Sequence, residues 1–393
     1  MPAFVSISRH FTNADIMVQD LLRAVPLTDT DDTIGFLSCN PDVPYKELIA
    51  GLHDAAFFPV VGGTSLASPF EPGDEDISAR LTVLSKKNLH RAVSVSEPLR
   101  GTEGKAQMER LYQDCLTRLG NEPKMFFAIL PIIENLMADI YLPHLFSLAG
   151  ATPVFGGMVS DDFDSDNFAV LVQGESYADR IALVALGGDI EPVFSVGCEL
   201  TVLSDYSPTV TEADGFVVHK VDDVPFCEYL RKLGFSDGEV ILSDYPVSVL
   251  IRGGMYEEDG LPEIHPLLQT NPNEGCGTFG SPIPVGVKIS LGVLTKGGIE
   301  RSAEYCVGEL AQKIRKKQIN GYEFTMLFCV SCVSRYFVLV GQENVECGIL
   351  NTNLPPKLPM YGYYAFNEIC PTQNSKGGLL NRAHSDSIVM CAF

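Results

Sequence analysis

The chain has 393 residues, of which 46% are apolar and 20% are charged, so it is long enough for two or three packed lobes and apolar enough to build their cores. Fifty acidic residues against 28 lysines and arginines leave a formal net charge of -22, which repels phosphate backbones and anionic headgroups. We therefore expect neither nucleic acid nor a membrane surface as a partner.

The N-terminus and the apolar runs predict a cytoplasmic location. Residues 1–15 lack a basic segment followed by an apolar stretch and a cleavage site, as a secretion signal would require. The longest apolar run, 324–333, is shorter than the ~20 residues that cross a bilayer, so we expect no membrane insertion. The eleven cysteines are irregularly spaced and are then expected to be reduced thiols.

An internal repeat organises the first half of the chain. Its unit is a strand, a helix, a second strand that ends in two glycines, and a pair of alternating runs that predict a hairpin. The segments of the first copy are 33–38, 45–52, 57–61, 77–84 and 89–95, and those of the second are 124–130, 134–148, 153–157, 167–172 and 180–186. A helix over 104–119 joins the two copies.

The pattern changes after residue 188. Residues 253–284 are rich in Gly, Pro, Asn and Glu and have no period, which predicts a long loop. The other predicted elements of this half are strands at 195–204, 215–221, 285–294, 323–333, 336–340, 362–369 and 387–393, and helices at 225–233 and 299–317. The sequence thus predicts a mixed α/β fold of layered sheets flanked by helices, with a duplicated N-terminal lobe over 1–189 and a C-terminal lobe over 190–393.

Two glycine pairs follow predicted strands, at Gly62-Gly63 and at Gly156-Gly157. Glycine there permits a positive φ and the close approach of a ligand or of another backbone, and open α/β sheets bind ligands at this end. Tight turns and close strand packing are the alternative reading. Neither pair belongs to a phosphate-binding loop, since both Gly-rich consensus patterns are absent.

The segment from Gly63 to Pro69, which includes Thr64 and Ser65, resembles the serine segment of subtilisin-like proteases. In those enzymes aspartate and histidine motifs precede the serine, whereas His10 and His53 have no matching context. A serine without a positioned base is not a nucleophile. We expect a glycine-rich turn here.

Cys329 and Cys332 have CxxC spacing within an apolar run. A zinc site needs a second pair or nearby histidines, and a redox dithiol usually begins a helix. Buried, inert thiols are the favoured interpretation.

Carboxylates and histidines give no metal pattern. The acidic run 161–166 would need glycine at 167 and glutamate at 173 to form a calcium loop, but the chain has Asn167 and Gln173. The seven histidines form no HxxxH or HxH pair. We expect no metal and no cofactor, with Asp161 facing a cleft and His384 serving as either a ligand contact or a turn residue.

Several segments together resemble the FIST sensory family over nearly the whole chain. The resemblance is carried by the first glycine pair, by 153–161, by 217–233, by 328–335, by 362–369 and by 384–393. Asn367 stands where the family motif has glycine.

The resemblance implies a bacterial-type, non-catalytic sensory protein that binds a small metabolite, with amino acids as the ligand class, and that signals through a separate protein. An amino acid needs a cation for its carboxylate and acceptors for its ammonium group. Arg335 or Arg252 is expected to serve the first role, and Asp161 and Glu368 the second. The full set of expected ligand-binding residues is Gly62, Gly63, Thr64, Ser65, Gly156, Gly157, Asp161, Arg252, Cys332, Arg335, Glu368 and His384.

Two other classes of function stay open at this point. One is an enzyme, either a hydrolase that uses Ser65 or a thiol-dependent enzyme that uses Cys332. The other is an assembly scaffold that binds no ligand.

Overall fold

The computed structural model describes residues 4–10, 13–24, 32–70, 78–101, 103–132, 140–160, 167–235, 247–252, 263–342, 344–354, 358–373 and 376–393. These residues form a mixed α/β fold. The helices are α1 (Ala14–Arg23), α2 (Tyr45–Ala55), α3 (Gly104–Leu119), α4 (Leu142–Ala149), α5 (Phe226–Lys232), α6 (Lys296–Ile319), α7 (Val333–Val338) and α8 (Asn344–Asn353).

The strands of the first half are β1 (Phe4–His10), β2 (Thr33–Cys39), β3 (Val60–Thr64), β4 (Ser78–Ser85), β5 (Leu89–Val95), β6 (Pro123–Leu130), β7 (Val154–Met158), β8 (Val170–Val172), β9 (Glu175–Tyr177) and β10 (Ala182–Gly188). Those of the second half are β11 (Val193–Gly197), β12 (Thr201–Val202), β13 (Val210–Asp214), β14 (Val217–Val221), β15 (Val224–Pro225), β16 (Val247–Arg252), β17 (Glu263–Asn271), β18 (Cys276–Phe279), β19 (Lys288–Val293), β20 (Leu327–Cys332), β21 (Met360–Ala365), β22 (Glu368–Ile369), β23 (Thr372–Gln373), β24 (Leu379–Leu380), β25 (Ala383–His384) and β26 (Ile388–Ala392).

The hairpins predicted for the N-terminal half do not form, because β4 and β5 lie in different sheets, as do β8 and β10. The strand-helix-strand part of the predicted unit is present twice, once in each of two six-stranded sheets. Their strand orders are β1-β4-β2-β3-β8-β9 and β25-β22-β7-β6-β10-β5. In each sheet two parallel strands, β2 with β3 and β6 with β7, are connected through a helix, and an antiparallel strand flanks the first of them. The two sheets therefore share one plan.

A third sheet follows the same plan, which the sequence did not reveal. Its order is β11-β26-β20-β21, with β20 and β21 parallel and β26 antiparallel to β20. Helices cover the outer face of each sheet, namely α1 and α2 on the first, α3 and α4 on the second, and α6 and α8 on the third. The inner faces of all three sheets meet in one apolar core.

Three phenylalanines from the three sheets touch at the centre of this core. Phe36 of β2, Phe127 of β6 and Phe328 of β20 have ring centroids 4.9 to 5.4 Å apart. Each lies on the first parallel strand of its sheet, so equivalent strands of the three units meet at the centre of the core. Offset and edge-to-face ring pairs of this kind add about 0.5–1.5 kcal/mol each beyond area burial.

A fourth sheet has the strand order β12-β19-β16-β17-β18-β14-β13, and β15 pairs with β14 as an additional short strand. It corrects the prediction of a loop over 253–284, because β17 and β18 occupy much of that range. Residues 253–262 lie outside the described residues. The composition misled the prediction because β17, which pairs with β16 and β18, buries few of its side chains and shows no regular alternation.

Two further features concern the helices. Residues 336–340 were predicted as a strand, but α7 covers 333–338, because the apolar run of β20 continues directly into one short helical segment. Within the described part of the chain, no helix combines the length and apolar composition that a membrane crossing needs.

Candidate functional site

Both glycine pairs lie inside strands, β3 and β7, and not in turns as predicted. A Cβ on Gly62 would stand 1.7 Å from the carbonyl oxygen of Leu37, and one on Gly156 would stand 2.0 Å from that of Ala128. Gly362 of β21 is in the matching position of the third sheet, where an added Cβ would stand 2.8 Å from the carbonyl oxygen of Cys329. Glycine is needed here because neighbouring parallel strands approach closely.

The second glycine of each pair serves the packing between segments. A Cβ on Gly63 would meet Val159 at 2.5 Å, and one on Gly157 would meet the carbonyl oxygen of Asn367 at 2.8 Å. Protein atoms, and not an open cleft, therefore fill the space beside both glycines.

The hydroxyls that follow the first glycine pair bind backbone groups. Thr64 Oγ1 accepts a hydrogen bond from the amide of Ala169 at 3.1 Å. Ser65, which is 3% exposed, accepts from the amide of Tyr364 at 2.9 Å and donates to the carbonyl oxygen of Ala67 at 3.0 Å. These contacts hold β3 against β8 and β21, and they give Ser65 no base that would activate it.

Arg335 is fully buried in α7 and forms an ion pair with the fully buried Glu346 of α8. Its Nε and one terminal nitrogen donate to Glu346 Oε1 at 2.8 and 2.6 Å. Its other terminal nitrogen donates to Ser302 Oγ at 2.9 Å. A protein carboxylate thus occupies the place that we assigned to a ligand carboxylate, so these contacts favour a structural role for Arg335.

A second buried carboxylate lies beside this ion pair. Asp386 has a positive φ of 56°, and its side chain accepts hydrogen bonds from Ser334 at 2.6 Å and from Ser248. Arg335 also donates to the backbone oxygen of Asp386 at 3.4 Å. Burial raises the pKa of Asp386, while the two serines and Arg335 partly offset that rise.

Glu368 belongs to β22, between β7 and β25, and is fully buried. Its Oε2 accepts from the amide of Ser387 at 3.2 Å and from its hydroxyl at 2.7 Å. Burial raises the pKa of Glu368 well above its usual range, although hydrogen bonds from Ser387 and Cys332 lower it in part. Burial likewise raises the pKa of the Cys332 thiol, which makes it a poor nucleophile.

A small cavity of about 60 Å³ lies where α4, β17 and residues 381–387 meet. Its lining includes sequence neighbours of Glu368 and Asp386. Leu142 and Phe146 of α4 form part of its apolar wall. The polar side chains that line it include Cys198, His265, Asn367, Arg382, His384 and Ser387. Among the predicted ligand contacts, His384 therefore lies on the lining of this cavity. Its Nε2 is 3.0 Å from the carbonyl oxygen of Cys370.

Two buried hydrogen-bond acceptors on this lining have no partner among the described residues. His265 Nε2 lies 3.2 Å from Glu263 Oε1; since a carboxylate only accepts, Nε2 donates, and in the tautomer with a single proton on Nε2 the other nitrogen, Nδ1, is an acceptor. Both His265 Nδ1 and Asn367 Oδ1 are buried without a hydrogen bond to any described residue. Buried polar atoms are normally satisfied, so these two need an explanation.

Segment 381–387 connects the cavity to the buried carboxylates. Arg382 lines the cavity and is 1% exposed. The Cys198 thiol, also on the lining, donates to the backbone oxygens of Ser385 and Asp386 at 3.8 and 3.6 Å. Ser387 lines the cavity and bonds Glu368. A change in cavity occupancy would therefore act directly on side chains that hold Glu368 and Asp386.

Two predicted site residues have no described side chain. Asp161 lies outside the described residues. Arg252 ends β16 opposite Lys288, but its side chain is outside what the structure describes. Within the described residues no group of three or more His, Cys, Asp or Glu is arranged to hold a metal ion.

Sequence reasoning missed Glu346, His265 and Asn367 as candidates. Glu346 is in an ordinary helical pattern, and nothing local marks it as the partner of Arg335. His265 was in the segment interpreted as a loop. Asn367 could have been noticed, because it stands where the family motif has glycine and the structure must therefore accommodate an additional side chain there.

Comparisons with known proteins identify two family models. The FIST N domain matches residues 33–224 and the FIST C domain matches residues 225–371. No curated protein matches the sequence significantly.

Among solved structures the similarities are weak. A cyanuric acid hydrolase described as an "evolutionary innovation by structural concatenation" has a TM-score of 0.32 at 8% identity, covering 100% of this chain and 99% of its own. The cyanuric acid hydrolase from A. caulinodans has a TM-score of 0.26 at 10% identity, covering 51% of this chain and 72% of its own. T. maritima PurL complexed with ATP has a TM-score of 0.23 at 10% identity, covering 100% and 71%. Scores this low support no inference about chemistry.

Proposed function

The chain belongs to the FIST family, whose domains are sensory modules of signal transduction, and from this premise we propose that it is a non-catalytic sensor of a small amino-acid-like metabolite. The proposed binding site is the cavity between α4, β17 and segment 381–387. Its position replaces the site expected at the glycine pairs, which protein atoms fill.

The observation that carries this proposal is the pair of unsatisfied acceptors on the cavity lining. A ligand ammonium group would donate to His265 Nδ1 and Asn367 Oδ1 and satisfy both. The buried Arg382 on the same lining supplies positive charge for a ligand carboxylate. Charge-assisted hydrogen bonds of this kind contribute about 1.5–3 kcal/mol each.

The cavity volume restricts the ligand to a small molecule. A buried water needs roughly 10–15 Å³ of such space, so about 60 Å³ has room for a few water-sized groups. This matches the backbone part of an amino acid with a short side chain, which Leu142 and Phe146 would contact.

The enzyme alternatives have less support. Ser65 binds backbone groups, and burial raises the pKa of the Cys332 thiol. Neither residue lies on the lining of the cavity.

A thermal-shift screen tests the proposal. The purified protein would be heated with each common amino acid and with the matching des-amino carboxylic acids. We expect at least one small amino acid to raise the melting temperature and its des-amino analogue to have no effect, because the analogue cannot donate to the two acceptors.

Asn367→Leu should abolish the shift, whereas Asn273→Leu, at the turn between β17 and β18, should keep it. If no amino acid shifts the wild type, or if both variants respond alike, the proposed site is wrong.

A further inference from the structure

Strand β11 is an edge of the third sheet, since β26 is its one partner strand among the described residues. An edge strand presents backbone N–H and C=O groups that can pair with another chain. Which groups of β11 point outward follows from the register of its neighbours.

The backbone of Phe393 exchanges hydrogen bonds with Met326 at the start of β20. Because successive residues of a strand point their backbone groups to opposite sides, Ile388, Met390 and Ala392 turn theirs towards β11. Their register partners in β11 are residues 197, 195 and 193.

Phe194 and Val196 therefore direct their N–H and C=O groups away from the sheet. The Nζ of Lys313 donates to the carbonyl oxygen of Phe194 at 2.7 Å, as an outward orientation requires. Val196 is only 6% exposed, so this part of the edge is largely shielded from solvent.

A groove of about 950 Å³ runs along this edge. Val193 to Val196 form one side, the end of α6 forms another, and the hairpin of β23 and β24 contributes Thr372, Gln373 and Leu379. Tyr305, which is 61% exposed, and Tyr322 add aromatic surface. The groove is large enough for an extended peptide segment.

The charge of the groove differs from that of the chain. Lys313, Lys316 and Lys317 line it together with Glu191 and Glu309, in a protein whose formal net charge is -22. Lys316 is exposed, whereas Lys313 and Lys317 form ion pairs with Glu309 and Glu191. Three lysines against two glutamates leave this lining with a small formal excess of positive charge on an acidic molecule.

We propose that β11 is a docking edge at which an extended, acidic segment of a separate protein adds as a fifth strand of the third sheet. The backbone of the segment would pair with Phe194 and Val196, and its carboxylates would meet the lysines of α6. Strand addition of this kind takes its affinity from main-chain hydrogen bonds and its specificity from side chains. The acidic character of the segment follows from charge complementarity.

The proposed docking edge rests on the strand register and the groove, and uses no observation on the proposed ligand. Val196 lines both the groove and the cavity, so the two surfaces share one residue.

Fluorescence anisotropy with defined peptides tests the proposal. The probe is a labelled peptide of about eight residues that alternates valine and glutamate, a length that matches a common strand. One comparison peptide alternates valine and lysine. Two others have the acidic sequence with N-methyl groups on every second amide, one on the odd-numbered amides and one on the even-numbered amides, which are the two phases. We expect only the acidic peptide to bind, and one phase of N-methylation to abolish binding because it removes the pairing donors.

Lys316→Glu should weaken the acidic peptide about fivefold or more at low salt, whereas Lys105→Glu on α3 should leave it unchanged. Hydrogen exchange at the amides of Phe194 and Val196 should slow in the complex. Equal binding of acidic and basic peptides, no binding at all, or insensitivity to both phases of N-methylation would overturn the proposal. A dimer seen by light scattering, with these two amides protected in the free protein, would overturn it in favour of a second copy of this chain.

Discussion

The ion pair between Arg335 and Glu346 is costly to break. Both side chains are fully buried, and a buried charge left without its partner destabilises a protein by about 3–5 kcal/mol. The pair is surrounded by donors and acceptors, including Ser331 and Ser302. We therefore assign these residues to stability and to the correct placement of α7 and α8.

Arg335→Met should lower the free energy of unfolding by about 3–5 kcal/mol, because Glu346 is left buried and unpaired. The double variant Arg335→Met/Glu346→Gln should recover part of that loss, since no full charge then stays buried. Denaturant unfolding measures both. A cost below about 1 kcal/mol for the single variant would show that the pair is exposed in solution.

Glu368 gives a pH dependence of defined sign. Burial raises its pKa above 4.5 in the folded protein, so the folded state holds this proton more tightly than the unfolded state does. The stability that comes from this proton is fully present below about pH 4.5 and is lost as the pH rises through the folded-state pKa.

The melting temperature of the wild type should accordingly fall more between about pH 5 and about pH 8 than that of Glu368→Gln, which mimics the protonated carboxyl group. Glu109→Gln, an exposed change on α3, should keep the slope of the wild type. Identical slopes for all three proteins would mean that Glu368 ionises freely in the folded state.

At the scale of elements, close pairing of parallel strands recurs in all three sheets. Gly62, Gly156 and Gly362 each follow the register partner of a central phenylalanine, and each would place a Cβ against a neighbouring carbonyl oxygen. The glycines thus allow the first and second parallel strands of each unit to approach.

Gly62→Ala should destabilise the protein by at least about 2 kcal/mol, because the new methyl group overlaps backbone that cannot move alone. Gly308→Ala is the matched control, since α6 has open space at that position, and it should stabilise by up to about 1 kcal/mol. Thermal or denaturant unfolding compares them. Equal effects of the two changes would contradict the close strand packing.

The elements that the sequence predicted are those with a strong local apolar pattern. The helix over 45–52 was evident because its apolar residues repeat at the helical period, whereas the strand over 33–38 and the last strand were evident as short apolar runs. β17 was missed because its buried and exposed residues do not alternate and its surroundings are rich in glycine. α7 was missed because six residues are too few for a helical period to be distinguished from an apolar strand.

At the scale of the whole molecule, three similar units enclose one core. The sequence revealed two of them, but the third has α7 and α8 between its parallel strands and receives its flanking strand from the C-terminus. The features that the sequence did not predict arise from contacts between residues that are far apart in the chain. The cavity is an example, since its lining joins residues 142–146, 263–265 and 381–387, and no local motif could indicate that they meet.

Two results support our proposal of a functional centre away from the glycine pairs. Protein atoms fill the space beside the pairs, whereas two residues with unsatisfied acceptors, His265 and Asn367, line the cavity near the C-terminus. Ser387 and Cys198 connect that cavity to Glu368 and Asp386. Ligand binding would thereby act on the packing between the second sheet and the third.

A crystal structure of the protein saturated with the amino acid that gives the largest thermal shift is the most direct test of this account. It should show the ligand in the cavity, with its ammonium nitrogen within about 3.2 Å of His265 Nδ1 and Asn367 Oδ1. A ligand bound elsewhere, with only water in the cavity, would contradict it.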